Sequence, residues 1–138
     1  MYKKKFEFDY KKGIENENKV LEYLNVNNKF EKCKKNCPFD FYDNETYIEL
    51  KSRNNEYNKY PSTMVGYNKI KIAEDDETKT KYKFLFLFTD GLYEWEFKKD
   101  NYLIKDGGRW DRGKSEIKKY CYINIENLNL INKDIINK

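Results

Sequence analysis

Two acidic residues and one lysine stand where a short β-hairpin would bring them together. Asp40 follows Pro-Phe, and Glu49 and Lys51 alternate along a Glu-Leu-Lys segment. If the turn between them is centred on residues 44–45, antiparallel pairing places Asp40 directly opposite Glu49, with about 4.5 to 5.5 Å between their Cβ atoms. Because successive side chains of a strand alternate between faces, Lys51 lies on the same face as Glu49.

This pair of carboxylates predicts a site for a hard divalent cation. Two carboxylates this close repel each other and raise each other's pKa unless a cation lies between them. Mg²⁺ needs only one or two carboxylates, because water and substrate phosphate complete its oxygen ligands. We therefore expect Mg²⁺ at Asp40 and Glu49, with the backbone carbonyl of Leu50 as a further ligand and Mn²⁺ able to substitute.

The chain contains no histidine. This excludes histidine-based zinc sites, Ser-His-Asp and Cys-His catalysis, and a histidine general base. The three cysteines are Cys33, Cys37 and Cys121. A tetrahedral zinc site needs about four ligands, so we do not expect these cysteines to bind metal. Metal-assisted hydrolysis at the carboxylates is the chemistry that remains.

An amphipathic helix over residues 13–25 precedes the hairpin. Its apolar positions follow helical spacing, and Glu17 falls on that apolar face. Two interpretations of Glu17 stay open: an acid at the edge of the apolar face with a water shell, or a third carboxylate close to the metal.

Further elements follow from local patterns. Ser62 predicts a helix start over residues 62–71, and residues 82–89 are apolar enough for a strand buried on both faces. Asp-Gly at 90–91 predicts a hairpin turn. The remaining predictions are strands at 30–33, 39–42, 46–53, 92–97 and 120–125, a glycine-containing loop at 105–114 and a terminal helix at 128–136.

Substrate contacts are expected from two groups of residues. Arg53 continues the face of Lys51, and Lys59, Tyr60, Ser62 and Thr63 follow it at the expected helix start, where backbone N–H groups favour phosphate. The second group is a basic patch in the glycine-containing loop, for which a solvated turn with Trp110 in the core is an equal alternative. Its members are Arg109, Arg112 and Lys114.

Length and composition limit the class of protein. The 138 residues predict one domain over 1–138, with a core of two or three layers. The 28 basic residues are mixed with 24 acidic ones, which argues against a nonspecific polycation. The odd number of cysteines and the lack of an apolar signal or transmembrane stretch indicate a reduced intracellular protein, cytoplasmic or nuclear, that does not enter a membrane.

In chain order these features resemble the PD-(D/E)XK nuclease superfamily. The matching residues are Glu17 in a Gly-Ile-Glu-Asn-Glu run, Asp40 after Pro-Phe, and Glu49 and Lys51 in Glu-Leu-Lys. The resemblance implies that Asp40 and Glu49 hold Mg²⁺, that Lys51 orients or activates the attacking water, and that Glu17 assists the metal. The chain departs from the pattern at Phe39, which lies between the proline and the aspartate, a spacing that the superfamily tolerates.

The resemblance also implies a fold and an activity. The fold is α/β (α+β), with a restriction-endonuclease-like αβββαβ core whose central mixed sheet is flanked by helices. The activity is Mg²⁺-dependent hydrolysis of phosphodiester bonds in DNA, with structure selectivity of the junction-resolving kind and, by analogy alone, a homodimer. Three alternatives stay open: an RNA-cutting endonuclease, a nucleic-acid-binding module with this fold but no catalysis, and a structural domain with a charged hairpin.

Overall fold

The computed structural model describes the backbone of residues 2–98, 102–109 and 116–135, and within them the side chains of 11–98, 102–106 and 119–135. Two helices, nine strands and one short 3₁₀ helix lie in these ranges. In chain order they are α1 (Tyr2–Leu24), β1 (Glu31–Lys32), β2 (Phe41–Tyr42), β3 (Thr46–Ser52), β4 (Ser62–Gly66), α2 (Tyr67–Asp75), β5 (Lys81–Phe88), β6 (Gly91–Glu96), β7 (Leu103–Arg109), β8 (Glu116–Asn124), the 3₁₀ helix (Ile125–Asn127) and β9 (Asn129–Asn132).

The strands form two sheets. The larger sheet has the order β1-β2-β3-β5-β6-β9, and the smaller has the order β4-β8-β7. β3 and β5 run parallel, and all other neighbouring pairs are antiparallel. The connection from β3 to β5 passes through β4 and α2, as a parallel pair requires a long crossover. The larger sheet is therefore mixed.

Strand β5 places side chains in two separate cores. Phe84, Phe86 and Phe88 pack with residues of α2 and the smaller sheet, while Leu85 and Leu87 pack with residues of α1 and the hairpin. Alternation along the strand produces this division. Helix α1 thus covers one face of the larger sheet, and α2 with the smaller sheet covers the other. The predicted fold class, a central mixed sheet flanked by helices, is confirmed.

The predicted helix start at Ser62 is wrong. Residues 62–66 form β4, which pairs with β8, and α2 begins at Tyr67. The reason is an alternation of period two, in which Thr63 and Val65 are buried while Met64 is exposed. The helix prediction relied on Ser62 as a cap and on the apolar residues that follow it. The same residues are equally compatible with a strand.

The predicted terminal helix is also wrong. Residues 129–132 form β9, which pairs with the edge of β6. This pairing covers N–H and C=O groups that the edge of β6 would otherwise expose. Residues 103–109, partly expected as a loop, form β7 and pair with β8, so the glycines at 107 and 108 lie within a strand.

The cysteines differ from the expectation of reduced thiols. Cys33 and Cys37 are paired as a disulfide across a turn, with 5.4 Å between their Cα atoms. Cys121 is free and buried. No helix in the described part of the chain is both long and apolar enough to span a membrane.

Candidate active site

The hairpin of β2 and β3 has the predicted register, with Phe41 opposite Ile48 and residue 42 opposite 47. The ladder ends at Phe41. The predicted regular cross-strand pairing of Asp40 with Glu49 is therefore wrong. Instead, the N–H of Asp40 donates to the carbonyl of Ile48 at 2.9 Å. This displacement allows Asp40 Oδ2 to accept a hydrogen bond of 2.7 Å from the N–H of Leu50. The aspartate side chain is thereby fixed against the backbone of β3 next to Glu49.

Glu49 is a buried acid, with only 4% of its surface exposed. Its strand neighbour is Phe84 of β5. Burial is the main reason that the pKa of the Glu49 carboxyl group is raised to about 8. The neighbouring carboxyl group of Asp40 acts in the same direction, while Lys51 and Lys69 act in the opposite direction. Both faces of β3 are covered, which does not fit the alternative of a solvated charged hairpin.

One oxygen of Glu49 lacks a hydrogen bond. Within the described residues Oε2 has no hydrogen-bond partner, although it lies 3.4 Å from Nζ of Lys69. A buried oxygen without a hydrogen bond is costly, and a divalent cation would satisfy it. The carboxylates of Asp40 and Glu49 are adjacent, and Oε2 of Glu49 lacks a hydrogen bond. They therefore fit a Mg²⁺ ion that completes its coordination shell with water and phosphate.

Glu17 faces inward, in agreement with its position on the apolar face of α1. The side chain is half-buried, and its pKa is raised by burial and then by the charge of Asp40, with Lys32 opposing. Asn16 fixes this turn of α1 by donating to Oγ of Ser52 at 3.3 Å. Among the described side chains, however, no three acidic or cysteine groups lie close enough together to hold a metal by themselves.

Lys51 lies two residues beyond Glu49 on the same face of β3 and is half-buried. Its charge is close enough to Glu49 to lower the pKa of that carboxyl group. These charge effects link Glu17 to Asp40 and link Glu49 to both Asp40 and Lys51. The backbone carbonyl of Leu50 belongs to the same stretch of β3.

Lys69 on α2 was not predicted. Its ammonium group donates to the carbonyl of Pro38, forms the ion pair with Glu49 and lies 5.6 Å from the ring centre of Phe39. In the sequence Lys69 directly precedes Ile70, which is buried. Only the tertiary fold shows that Lys69 approaches β3.

Arg53 is held between β3 and β4. Its Nε donates to Oγ1 of Thr63 at 3.4 Å and a terminal nitrogen donates to the carbonyl of Met64. The guanidinium carbon lies 5.8 Å from the ring centre of Phe86. Burial lowers the pKa of the arginine. These contacts anchor the arginine just beyond Lys51.

The predicted substrate-binding residues after Arg53 are partly brought together. Tyr60, Ser62 and Thr63 line one cavity with Arg53, and Lys59 lies outside that lining, with Nζ 5.5 Å from the ring centre of Tyr60. The expected phosphate site at a helix N-terminus is wrong, because residues 62 and 63 belong to β4.

The basic patch is described only in part. Arg109 ends β7, and its backbone pairs with Glu116 of β8. Arg112, Lys114 and Trp110 lie outside the described residues.

A family model described as "Phage putative PDDEXK endonuclease" matches residues 2–131. The match includes both helices, the hairpin and the strands from β1 to β8. The chain belongs to this PD-(D/E)XK endonuclease family. The family assignment confirms the resemblance inferred from the acidic and lysine residues, and an endonuclease family implies a nucleic acid substrate. No curated protein and no solved structure matches the chain.

Proposed function

We propose that this member of the PD-(D/E)XK family is a Mg²⁺-dependent endonuclease that hydrolyses phosphodiester bonds in DNA. The observation that carries the proposal is the buried oxygen of Glu49, which lacks a hydrogen bond and lies beside Asp40 on the strand that also bears Lys51. Such a perturbed acid beside a second carboxylate is typical of a functional site. Mn²⁺ would substitute for Mg²⁺ at the same oxygens.

Each side chain has a role in this proposal. Asp40 and Glu49 would hold the cation, together with the carbonyl of Leu50, and Glu17 would support it through its charge. When bound, the cation neutralises charge on the phosphoryl oxygens and the leaving oxygen, and lowers the pKa of bound water. Lys51 Nζ would orient the attacking water by hydrogen bonding or accept its proton.

The remaining basic and polar residues bind the substrate. Arg53 is fixed directly beyond Lys51 and would contact a phosphate or base adjacent to the cleaved bond. Lys59, Tyr60, Ser62 and Thr63 extend that surface, and Arg109, Arg112 and Lys114 would add phosphate contacts elsewhere. Structure-selective cleavage and a homodimer that cuts both strands belong to the same proposal, and the latter is tested by analytical ultracentrifugation.

The test is a cleavage panel with duplex DNA, single-stranded DNA, branched DNA and RNA, each incubated with Mg²⁺ or with EDTA. We expect cleavage of DNA that requires Mg²⁺ and produces internal cuts in circular substrates. Cleavage of RNA alone would favour the RNA-cutting alternative. Binding without cleavage of any substrate would favour a catalytically silent module.

A further inference from the structure

A cavity of about 310 Å³ lies directly beyond the candidate active site, between the end of β3 and the edge strand β4. Its volume is at the lower end of the range for small-molecule sites. Arg53 lines it and is two residues beyond Lys51, so at the rise of a strand their Cα atoms are about 6 to 7 Å apart. An occupant of the cavity would therefore adjoin a phosphate bound at the active site.

The wall of the cavity is aromatic. Tyr57, Tyr60, Phe88 and Tyr122 contribute to the lining. Tyr60 is the exposed member, with 54% of its surface accessible. Aromatic rings and arginine planes are the groups on which unpaired bases stack.

The cavity is held in place by hydrogen bonds before any ligand binds. Tyr57 donates from its hydroxyl to the carbonyl of Ile125 at 2.7 Å, and its backbone N–H donates to Oδ1 of Asp90 at 2.9 Å. Its ring stacks on Tyr93 with 4.1 Å between the ring centres. A fixed wall of this kind lowers the entropy lost when a ligand is bound.

Arg53 and Ser62 provide the polar contacts. The guanidinium group has more N–H donors than its two hydrogen bonds to β4 use. It can therefore donate to a base edge or a phosphate oxygen while its own position stays fixed. Ser62 adds a hydroxyl that both donates and accepts. A cation, polar side chains and several aromatic rings match a nucleotide better than they match a purely apolar ligand.

We propose that this cavity binds one unpaired nucleobase next to the cleaved phosphodiester bond. A base inside a duplex is paired and stacked, so it cannot enter a cavity walled by side chains without being extruded. The preferred substrate therefore contains unpaired nucleotides at the cleavage position, as in single strands, flaps and branched DNA. This inference rests on the proposed nuclease function, because it takes the position of the phosphate from that site.

The experiment measures binding in EDTA, so that cleavage does not contribute. Fluorescence anisotropy compares a short single-stranded oligodeoxynucleotide with a duplex of the same sequence, for the wild type and for Tyr60→Ala and Tyr60→Phe. A matched control is Leu130→Ala, because Leu130 is 50% exposed on β9 and lies outside the lining of the cavity. A second series of oligonucleotides carries one abasic position, moved along the strand one nucleotide at a time.

We expect Tyr60→Ala to weaken single-strand binding about 5- to 150-fold, as removal of one stacking ring does, and to change duplex binding much less. Tyr60→Phe should retain the wild-type affinity because it keeps the ring. The wild type should lose affinity when one particular position is abasic, and Tyr60→Ala should be insensitive to that change. Equal binding of intact and abasic strands at every position, or equal weakening of single-strand and duplex binding in Tyr60→Ala, would overturn the proposal.

The outcome is separable from the test of nuclease function. The wild-type protein could cleave DNA with Mg²⁺ and yet bind every abasic strand with the affinity of the intact strand. In that case the base site is wrong and the nuclease proposal stands. If the abasic effect is present but no substrate is cleaved under any condition, the base site stands and the nuclease proposal fails.

Discussion

Lys69 of α2 forms an ion pair with Glu49 of β3, with 3.4 Å between Nζ and Oε2. The same ammonium group donates to the carbonyl of Pro38, which lies two residues before Asp40. One side chain therefore contacts both segments that contribute the carboxylates. Its charge also lowers the pKa of Glu49. We infer that Lys69 positions the acidic pair and partly compensates its charge in the absence of metal.

Replacement of Lys69 by methionine should raise the pKa of Glu49 above its value in the wild type, because a neighbouring cation is removed. It should also destabilise the fold by about 1 to 3 kcal/mol, because the charge-assisted hydrogen bond to Pro38 is no longer made. Carboxyl-carbon NMR titration measures the first effect and urea unfolding the second. Lys71→Met is the control, since Lys71 is exposed on the same helix. An unchanged pKa of Glu49 would show that the ion pair does not form in solution.

The stability of the metal-free protein should depend on the protonation of Glu49. Its pKa is raised from the ordinary value of 4.5 to about 8, so the folded state binds this proton more tightly than the unfolded state. The resulting stabilisation is fully present below pH 4.5 and is lost as the pH rises to about 8. In EDTA the free energy of unfolding should fall across this window by up to about 1.4 kcal/mol per pH unit.

The variant Glu49→Gln should lack this decline, because glutamine does not titrate. Glu15→Gln, which changes an exposed acid on α1, should keep it. Urea unfolding at a series of pH values makes the comparison. A wild type whose stability is flat between pH 4.5 and 8, or a decline that persists in Glu49→Gln, would contradict the buried protonated acid.

Lys51→Met should lower the single-turnover cleavage rate by about 10²- to 10⁴-fold, as expected when a general base is removed. Methionine keeps the stem of the side chain but removes the amine. Divalent-ion affinity should survive, because Asp40 and Glu49 remain and a nearby positive charge has been removed. Calorimetric titration with Mg²⁺ measures that affinity separately. The control is Lys81→Met at the exposed start of β5.

Two results would count against the assigned role of Lys51. Cleavage at the normal rate in Lys51→Met would make it a structural strand lysine. Loss of metal affinity together with activity would mean that Lys51 holds the site together and does not act on water.

The basic residues at positions 109, 112 and 114 of the sequence should bind phosphates of the substrate. Simultaneous replacement of Arg109, Arg112 and Lys114 by alanine should weaken duplex binding. It should also reduce the slope of log affinity against log salt by about 0.9 for each phosphate that is no longer neutralised. Cleavage at saturating substrate should remain. Binding measured in EDTA over a range of KCl concentrations gives the slope, and an unchanged slope would favour the solvated-turn interpretation.

The register of the β2–β3 hairpin was predicted from the sequence, although Asp40 lies just outside the ladder. The turn at residues 44–45 and the alternation of β3 determine which residues share a face, and both depend on neighbouring residues only. The family followed from the same few positions, Glu17, Asp40, Glu49 and Lys51. The αβββαβ order implied by the resemblance corresponds to α1, β1, β2, β3, α2 and β5, and β4, which lies between β3 and α2, joins the smaller sheet.

The parts that were not predicted depend on contacts distant in sequence. Lys69 reaches Glu49 only because the crossover places α2 over β3. Strand β4 pairs with the edge of β8, and β9 pairs with the edge of β6. The sequence of a short segment gives no indication of such a distant partner. The burial of Glu49, and hence its raised pKa, likewise results from the packing of α2 against the sheet.

Asp40 is proposed as a ligand of the catalytic cation, and a pair of isosteric variants tests this assignment directly. Asn can still accept the hydrogen bond from Leu50, so Asp40→Asn removes the charge and keeps the local contact. The matched control is Asp43→Asn in the same hairpin, where Asp43 accepts hydrogen bonds from the N–H groups of residues 45 and 46.

The decisive measurement is single-turnover DNA cleavage as a function of Mg²⁺ concentration for the wild type and these two variants. We predict that Asp40→Asn loses cleavage at every Mg²⁺ concentration or requires far more Mg²⁺, while Asp43→Asn follows the wild-type curve. Cleavage by Asp40→Asn on the wild-type Mg²⁺ curve, or an equal loss in both variants, would contradict the metal site proposed at Asp40 and Glu49.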